Sequence, residues 1–169
     1  MGGSIFLTLF FGLFLAVGVG ILGWGLYSLN MARQAESWPT VQGEVTHSDF
    51  VVSSDSDGTT YRTKITYAYS ILGRELTSER IAFGYSGSSS QQFHRDIYSA
   101  LPVGAQVAVR HDPSNPERAA LSFGVNQSIK FLLIFGAVWT MFTLGMLAMV
   151  WMSGQGATTL LDNMIVYSR

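Results

Sequence analysis

"YRTKITYAYSI", residues 61–71, alternates with a period of two. Tyr61, Thr63, Ile65, Tyr67, Tyr69 and Ile71 fall on one side, Arg62, Lys64, Thr66, Ala68 and Ser70 on the other. One aromatic face and one wet face describe a half-buried β-strand, because successive side chains of a strand point to opposite sides. Upstream, "TVQGEVTHSDFVV" (40–52) places Val41, Gly43 and Val45 on one face and then changes parity, as a strand with a bulge does. Between the two, "SSDSDGTT" (53–60) carries Asp57-Gly58, a hairpin signal because both residues tolerate positive φ. Leu72-Gly73 then turns the chain into a third strand within "RELTSERIAF" (74–83).

Further on, "SSSQQFHRDIYSAL" (88–101) offers a Ser N-cap and Phe93, Ile97 and Leu101 at four-residue spacing, which predicts a short amphipathic helix. Pro102-Val103-Gly104 ends it; "AQVAVRH" (105–111) reads as a fourth strand and "AALSF" (119–123) as a fifth. Pro113 and Pro116 fix φ and cannot donate to a ladder. The segment around Asp112, Pro113 and Pro116 is therefore a rigid turn between the last two strands. Three strands, a helix and two strands is the order of a five-stranded Greek-key barrel of the OB type. Closure would also remove free sheet edges. The expectation is an OB-like five-stranded barrel with one short helix, with an open five-stranded sandwich as the alternative.

The rest of the chain is of another kind. Ile5–Leu29 and Phe131–Met152 contain no Asp, Glu, Lys or Arg, whereas residues 30–128 hold eight Lys/Arg and ten Asp/Glu, 8 − 10 = −2. About 20 apolar residues cross the hydrocarbon core, so both runs are long enough to span. The first contains fifteen Ile, Leu, Phe or Val, which favours insertion by about 5 to 9 kcal/mol before end effects. A cleaved signal peptide is the alternative for that run, but "MGGS" has no basic side chain and the apolar stretch is too long. Trp24, Tyr27 and Trp151 mark headgroup-level ends, and Trp38 marks either such an end or the start of the soluble fold. Two transmembrane α-helices thus flank a small all-β domain. The expected partition is 1–30 first span, 31–37 linker, 38–123 β domain, 124–130 linker, 131–152 second span and 153–169 tail.

Within the spans, Gly12, Ala16 and Gly20 recur every four residues; Gly136 and Thr140 keep the same spacing, with Ala148 eight residues further on. Small residues on one stripe let helix backbones approach, in the same protomer or in another subunit. Glycine is also simply common in membrane helices, which is the plainer reading of the stripe. Arg33, Arg118 and Lys130 lie on the β-domain side of the spans, and Arg169 with the terminal amine on the other. This asymmetry leans toward a cytoplasmic β domain.

Trp38-Pro39 followed by "VQGEV", the strand "YRTKITYAYSILGRE", Pro-Val-Gly before a strand, and "VAVRHDPSNPERAAL" together resemble one family. It is the bacterial membrane-associated family catalogued as domain of unknown function 3592. The resemblance covers about residues 38 to 123 and implies two transmembrane helices around a small β domain in the bacterial inner membrane. Members usually carry Tyr just before the Asp of the turn, where this chain has His111. The resemblance brings no established activity and no catalytic residue.

The residues that could carry chemistry are few. Without cysteine, disulfides, thiolate nucleophiles and Cys-based zinc sites are excluded. His47, His94 and His111 lack the helical i, i+4 spacing of a metal site and read as surface or turn histidines. "DSDG" (55–58) is half a calcium loop without its distal Glu, and a hairpin turn explains it. "GYSGS" (84–88) has Ser88 where a nucleophile elbow needs Gly. An aromatic strand could stack bases, but the domain's net charge of −2 argues against nucleic acid. The expectation is a protein that is not an enzyme and has no cofactor, no metal and no nucleic-acid partner. It would act in the bilayer as an accessory, assembly or partner-binding subunit, through another membrane protein or by self-association. A small homo-oligomeric pore or transport-related protein is the rival reading, against which stands the lack of ionisable residues in either span.

Overall fold

The computed structural model describes residues 2–162. Its elements run α1 (Gly2–Gln34), a 3-10 turn (Ala35–Ser37), β1 (Thr40–Asp55), β2 (Gly58–Ile71), β3 (Arg74–Ser78), α2 (Gln91–Ala100), β4 (Gln106–Asp112), β5 (Asn115–Ala120) and α3 (Gln127–Asp162). Among the described residues two compact units result: 2–24 with 132–162, and Gly25–Phe131. Both long helices contain stretches apolar enough to cross a membrane, with mean hydropathy 2.4 and 2.0. Helix outlasts apolarity at each end. The expected linker 31–37 is the end of α1 plus the 3-10 turn, residues 127–130 open α3, and 153–162 continue it. The remainder of the expected tail, 163–169, lies outside the described residues.

In the second unit the five strands form one antiparallel sheet in the order β3-β2-β1-β4-β5. The register carries out the alternation of β2: Thr63, Ile65, Tyr67 and Tyr69 are buried while Arg62, Lys64 and Ser70 are exposed. The bulge falls at Thr46, since Val45 opposes Tyr67 and His47 opposes Thr66. Beyond it Ser48, Phe50 and Val52 take the inner face, opposite Ile65, Thr63 and Tyr61. Val45, Ile65, Tyr67, Tyr69, Leu76, Ile81, Val109 and Ala119 make the core.

The expected closed barrel does not form. No ladder joins β3 to β5, so the OB-like closure gives way to an open, curled sheet. The physical reason lies in the edges: β3 is only five residues long and β5 carries Pro116, which has no N–H to offer. The edges are tied instead beyond the strand ends, where Leu121 N–H donates to the Ile81 carbonyl (3.1 Å) and Ser122 N–H to the same oxygen (2.7 Å). Side chains complete the seam. Tyr69 Oη donates to the Pro116 carbonyl at 2.8 Å, and Arg74 meets Glu117 at 2.9 Å on the surface.

Strand limits also shift. The third strand stops at Ser78, short of the "ERIAF" expected to extend it. The fifth begins at Asn115, so Pro116 lies inside an edge strand and the turn is Pro113-Ser114 alone. At the first hairpin Asp55 pairs with Gly58, leaving Ser56-Asp57 as the turn, and only Gly58 has positive φ.

Candidate functional site

Trp38 settles on the soluble side, buried and packed edge-on against Phe83 with ring centroids 5.7 Å apart. Around this pair the Gly25–Phe131 unit fastens the helical ends it contains. Ser28, Met31, Ala32 and Ala35 of α1 are buried there, as is Ile129 of α3. Arg110, reaching from β4, donates through Nη1 to the carbonyls of Glu36 (2.7 Å), Ala35 (3.3 Å) and Trp38 (3.4 Å). These carbonyls belong to the last helical turn and the residue just beyond it, where a cation is a favoured partner. The guanidinium carbon also lies 3.8 Å from the Phe123 ring centroid.

At the opposite helical end Asn126 acts in two directions. Its Nδ2 donates to the Phe83 carbonyl (2.6 Å), and its Oδ1 accepts the Ile129 N–H (3.0 Å) as an N-cap of α3. Gly84, at φ 71°, lets Ile129 come so near that a Cβ would meet Ile129 Cγ1 at 2.6 Å. Gly124 N–H donates to the Ala32 carbonyl at 3.2 Å, tying the β5–α3 connection back to α1.

A second polar cluster sits where α2 covers β2. His94 is fully buried, and His111 is 8 % exposed, so neither is the surface or turn histidine expected from spacing; His47 is exposed. The inner face of α2 is set by His94 with Ile97 and Leu101, while Phe93 is 46 % exposed. Spacings of three and seven from His94 carried that signal, but polarity masked it.

His94 Nδ1 lies 2.8 Å from Tyr85 Oη and Nε2 lies 2.9 Å from Ser88 Oγ. Tyr85 Oη also accepts the Thr63 N–H at 3.2 Å, and Ser88 Oγ accepts the Ser90 N–H at 3.3 Å. A neutral imidazole carries one ring proton, so His94 donates to one of these two hydroxyls and accepts from the other. Burial, then the nearby Arg62, holds the imidazole below its ordinary range and so neutral. Held at both ring nitrogens and buried, His94 works as a staple for residues 85–94 on β2.

The turn residues stand as follows. Asp112 is buried; Oδ1 accepts Ser114 Oγ–H (2.6 Å) and Ser114 N–H (2.9 Å), and Oδ2 meets Arg118 at 3.2 Å. The Ser114 hydroxyl, chiefly, holds this carboxyl below its usual range against the opposing effect of burial. Pro113 occupies the two-residue turn and Pro116 presents its carbonyl to Tyr69.

In the other unit the helices meet at Gly18 and Gly136. A Cβ on Gly18 would strike Thr140 Oγ1 at 2.6 Å, and one on Gly136 the Leu22 Cγ at 2.9 Å and Leu22 N at 3.0 Å. Trp139 Nε1 donates to the Phe14 carbonyl (2.9 Å) and stacks on the Phe14 ring. Of the expected packing residues, Gly136 and Thr140 lie in this contact. Gly12 and Gly20 have nothing within 4 Å of where a Cβ would be, and Ala16 is exposed. Among the described residues no group of three or more His, Asp or Glu is placed to hold a metal ion.

No curated protein and no solved structure matches the chain. The family described as Domain of unknown function (DUF3592) matches residues 41–126, from the second residue of β1 to the residue that caps α3. That span, 126 − 41 + 1 = 86 residues, is just over half of 169, and the chain belongs to the DUF3592 family.

Proposed function

We propose that the protein is a two-span component of a bacterial inner membrane, with its β domain on the cytoplasmic side. In this reading it serves as a non-enzymatic accessory or assembly subunit that presents the β domain to a partner protein. The observation that carries the reading is the fastening of the β domain to helical segments of both spans, through Arg110 at the end of α1 and Asn126 at the start of α3. A domain held at two helical ends loses less freedom on docking than one on flexible tethers, and binding gains accordingly. Full burial of His94, with a hydroxyl on each ring nitrogen, supports a structural role for the serine–histidine pair described above.

Affinity capture of the full chain from membranes in mild detergent, followed by mass measurement of the captured assembly, tests the reading. Recovery in fixed ratio with one larger membrane protein is expected. A closed homo-oligomer that conducts ions would replace it with the pore reading. Sidedness is tested separately: Asp57→Cys, in a chain with no other cysteine, should resist a membrane-impermeant maleimide in intact cells and react after lysis.

A further inference from the structure

The two edges of β1 are not equal. Toward β2 it is paired from Gly43 to Asp55. Toward β4 the ladder covers only Thr40–Glu44 and ends with Val45, whose N–H and carbonyl bond Ala105 and Gly104. Thr46–Asp55 therefore presents ten residues of unpaired edge, about half of which aim N–H and C=O outward. Other edges are blunted. β3 is short, β5 holds Pro116 and is tied back beyond its end, and the far edge of β2 is bridged by Ser88 at Tyr61. Thr46–Asp55 has no Pro, Lys or Arg, the residues that usually guard an edge.

We propose that this edge is the interface of a two-fold homodimer, formed by antiparallel β1–β1 pairing centred on Val51. A two-fold axis normal to a sheet requires directly opposed residues to share a face, so the pairing must be centred on a residue. Centring on Asp49 opposes it to itself, and centring on Val52 sets Asp49 against Asp55. Centring on Phe50 sets Ser48 against Val52 and so pairs polar with apolar. Centring on Val51 gives Val51–Val51, Phe50–Val52 twice, Asp49–Ser53, Ser48–Ser54 and His47–Asp55, with no like charges opposed. Apolar surface already waits beside this edge: Val52 is 51 % exposed, and Tyr98, whose ring lies 6.0 Å from Phe50, is 40 % exposed. The inference goes beyond the accessory reading and stands without it, since it requires only a second copy of the chain.

The test uses the full chain in membranes and in mild detergent, where the absence of native cysteine makes single-cysteine variants clean. Val51→Cys faces its own copy and should form a disulfide-linked dimer under mild oxidation. Ser53→Cys should cross-link at least about tenfold more slowly, because residues 53 of the two copies stand about 13 Å apart, beyond disulfide reach. Mixing Asp49→Cys with Ser53→Cys protein should restore cross-linking as the mixed dimer. Val51→Lys, which opposes two cations, should give a monomer mass, while Val51→Thr keeps the dimer. A monomeric wild-type mass, or equal cross-linking of Val51→Cys and Ser53→Cys, would overturn the proposal. Capture of a larger protein with an unpaired β1 edge would leave the accessory reading standing and remove this one.

Discussion

Arg110 Nη1 donates to the Glu36 carbonyl at 2.7 Å while its guanidinium faces the Phe123 ring, so one β4 side chain grips both the end of α1 and the exit from β5. Nη1 shares its two hydrogens among three carbonyls while the planar guanidinium lies over the Phe123 ring, a stacked contact that an ammonium does not reproduce. Arg110→Ala should lower stability by about 2 to 3 kcal/mol, the size of a charged hydrogen bond plus a cation–π contact. Arg110→Lys should recover less than half of that. Thermal unfolding of the full chain in detergent reads the difference, and full recovery by lysine would refute the grip.

His94 gives the β domain a pH dependence. Its folded pKa is depressed, so the unfolded chain binds more protons between that value and the ordinary one near 6.5. Stability is complete above about pH 7, falls as pH drops through about 6.5, and levels off below the folded pKa. His94→Gln should flatten this limb while lowering stability at neutral pH. An unchanged limb in the variant would assign the proton uptake elsewhere.

Asp112 adds a second, lower limb. With its carboxyl held below the ordinary value by Ser114, its contribution is present above about pH 4 and is lost as pH falls through the folded value. Asp112→Ala should destabilise by about 1 to 2 kcal/mol at neutral pH and weaken the acid limb. Ser114→Ala should do part of both, and chemical denaturation at pH 7 and pH 3 measures them.

Ser48 is buried at its hydroxyl with no hydrogen-bond partner. An unmatched buried hydroxyl opposes folding, so Ser48→Ala should be neutral or stabilise by up to about 1 kcal/mol. A marked loss on this change would mean that the hydroxyl has a partner after all.

Helix pairing in the apolar unit should respond to Gly18 and Gly136 and ignore Gly20. Gly136→Val drives a Cβ into Leu22 backbone and should cost about 1 to 3 kcal/mol. Gly20→Val meets open space within the protomer. Melting temperatures of the two variants in one detergent compare them, and equal losses would contradict the observed contact.

Periodicity made most of this architecture legible. The alternation of Tyr61–Ile71, the parity change after Val45 and the two uncharged runs each follow from local rules, and each reappears as β2, the Thr46 bulge and the long helices. Sheet closure was not legible, because it depends on how far β3 and β5 reach, a property of edges that share no local pattern. His94 escaped for a different reason. A polar residue on a core face is recognised only through its partners, and Tyr85 and Ser88 come from a loop without periodicity. The helix contact at Gly18 lay off the four-residue stripe of Gly12, Ala16 and Gly20, and only the mate's surface selects which stripe is used.

The bulge at Thr46 works as a reading-frame shift in space. Upstream of it odd-numbered residues face inward; downstream, even-numbered ones do. Deleting Thr46 would leave Val45 opposite Tyr67 and His47 opposite Thr66, so the ladder would run straight and Asp49 and Phe50 would keep the faces they have. Chain length at this one position is thus under looser constraint than at the paired positions of β1, where losing one residue reverses the faces of those beyond it. Removing Thr46 should be tolerated where removing Asp49, which would turn Phe50 outward, is not.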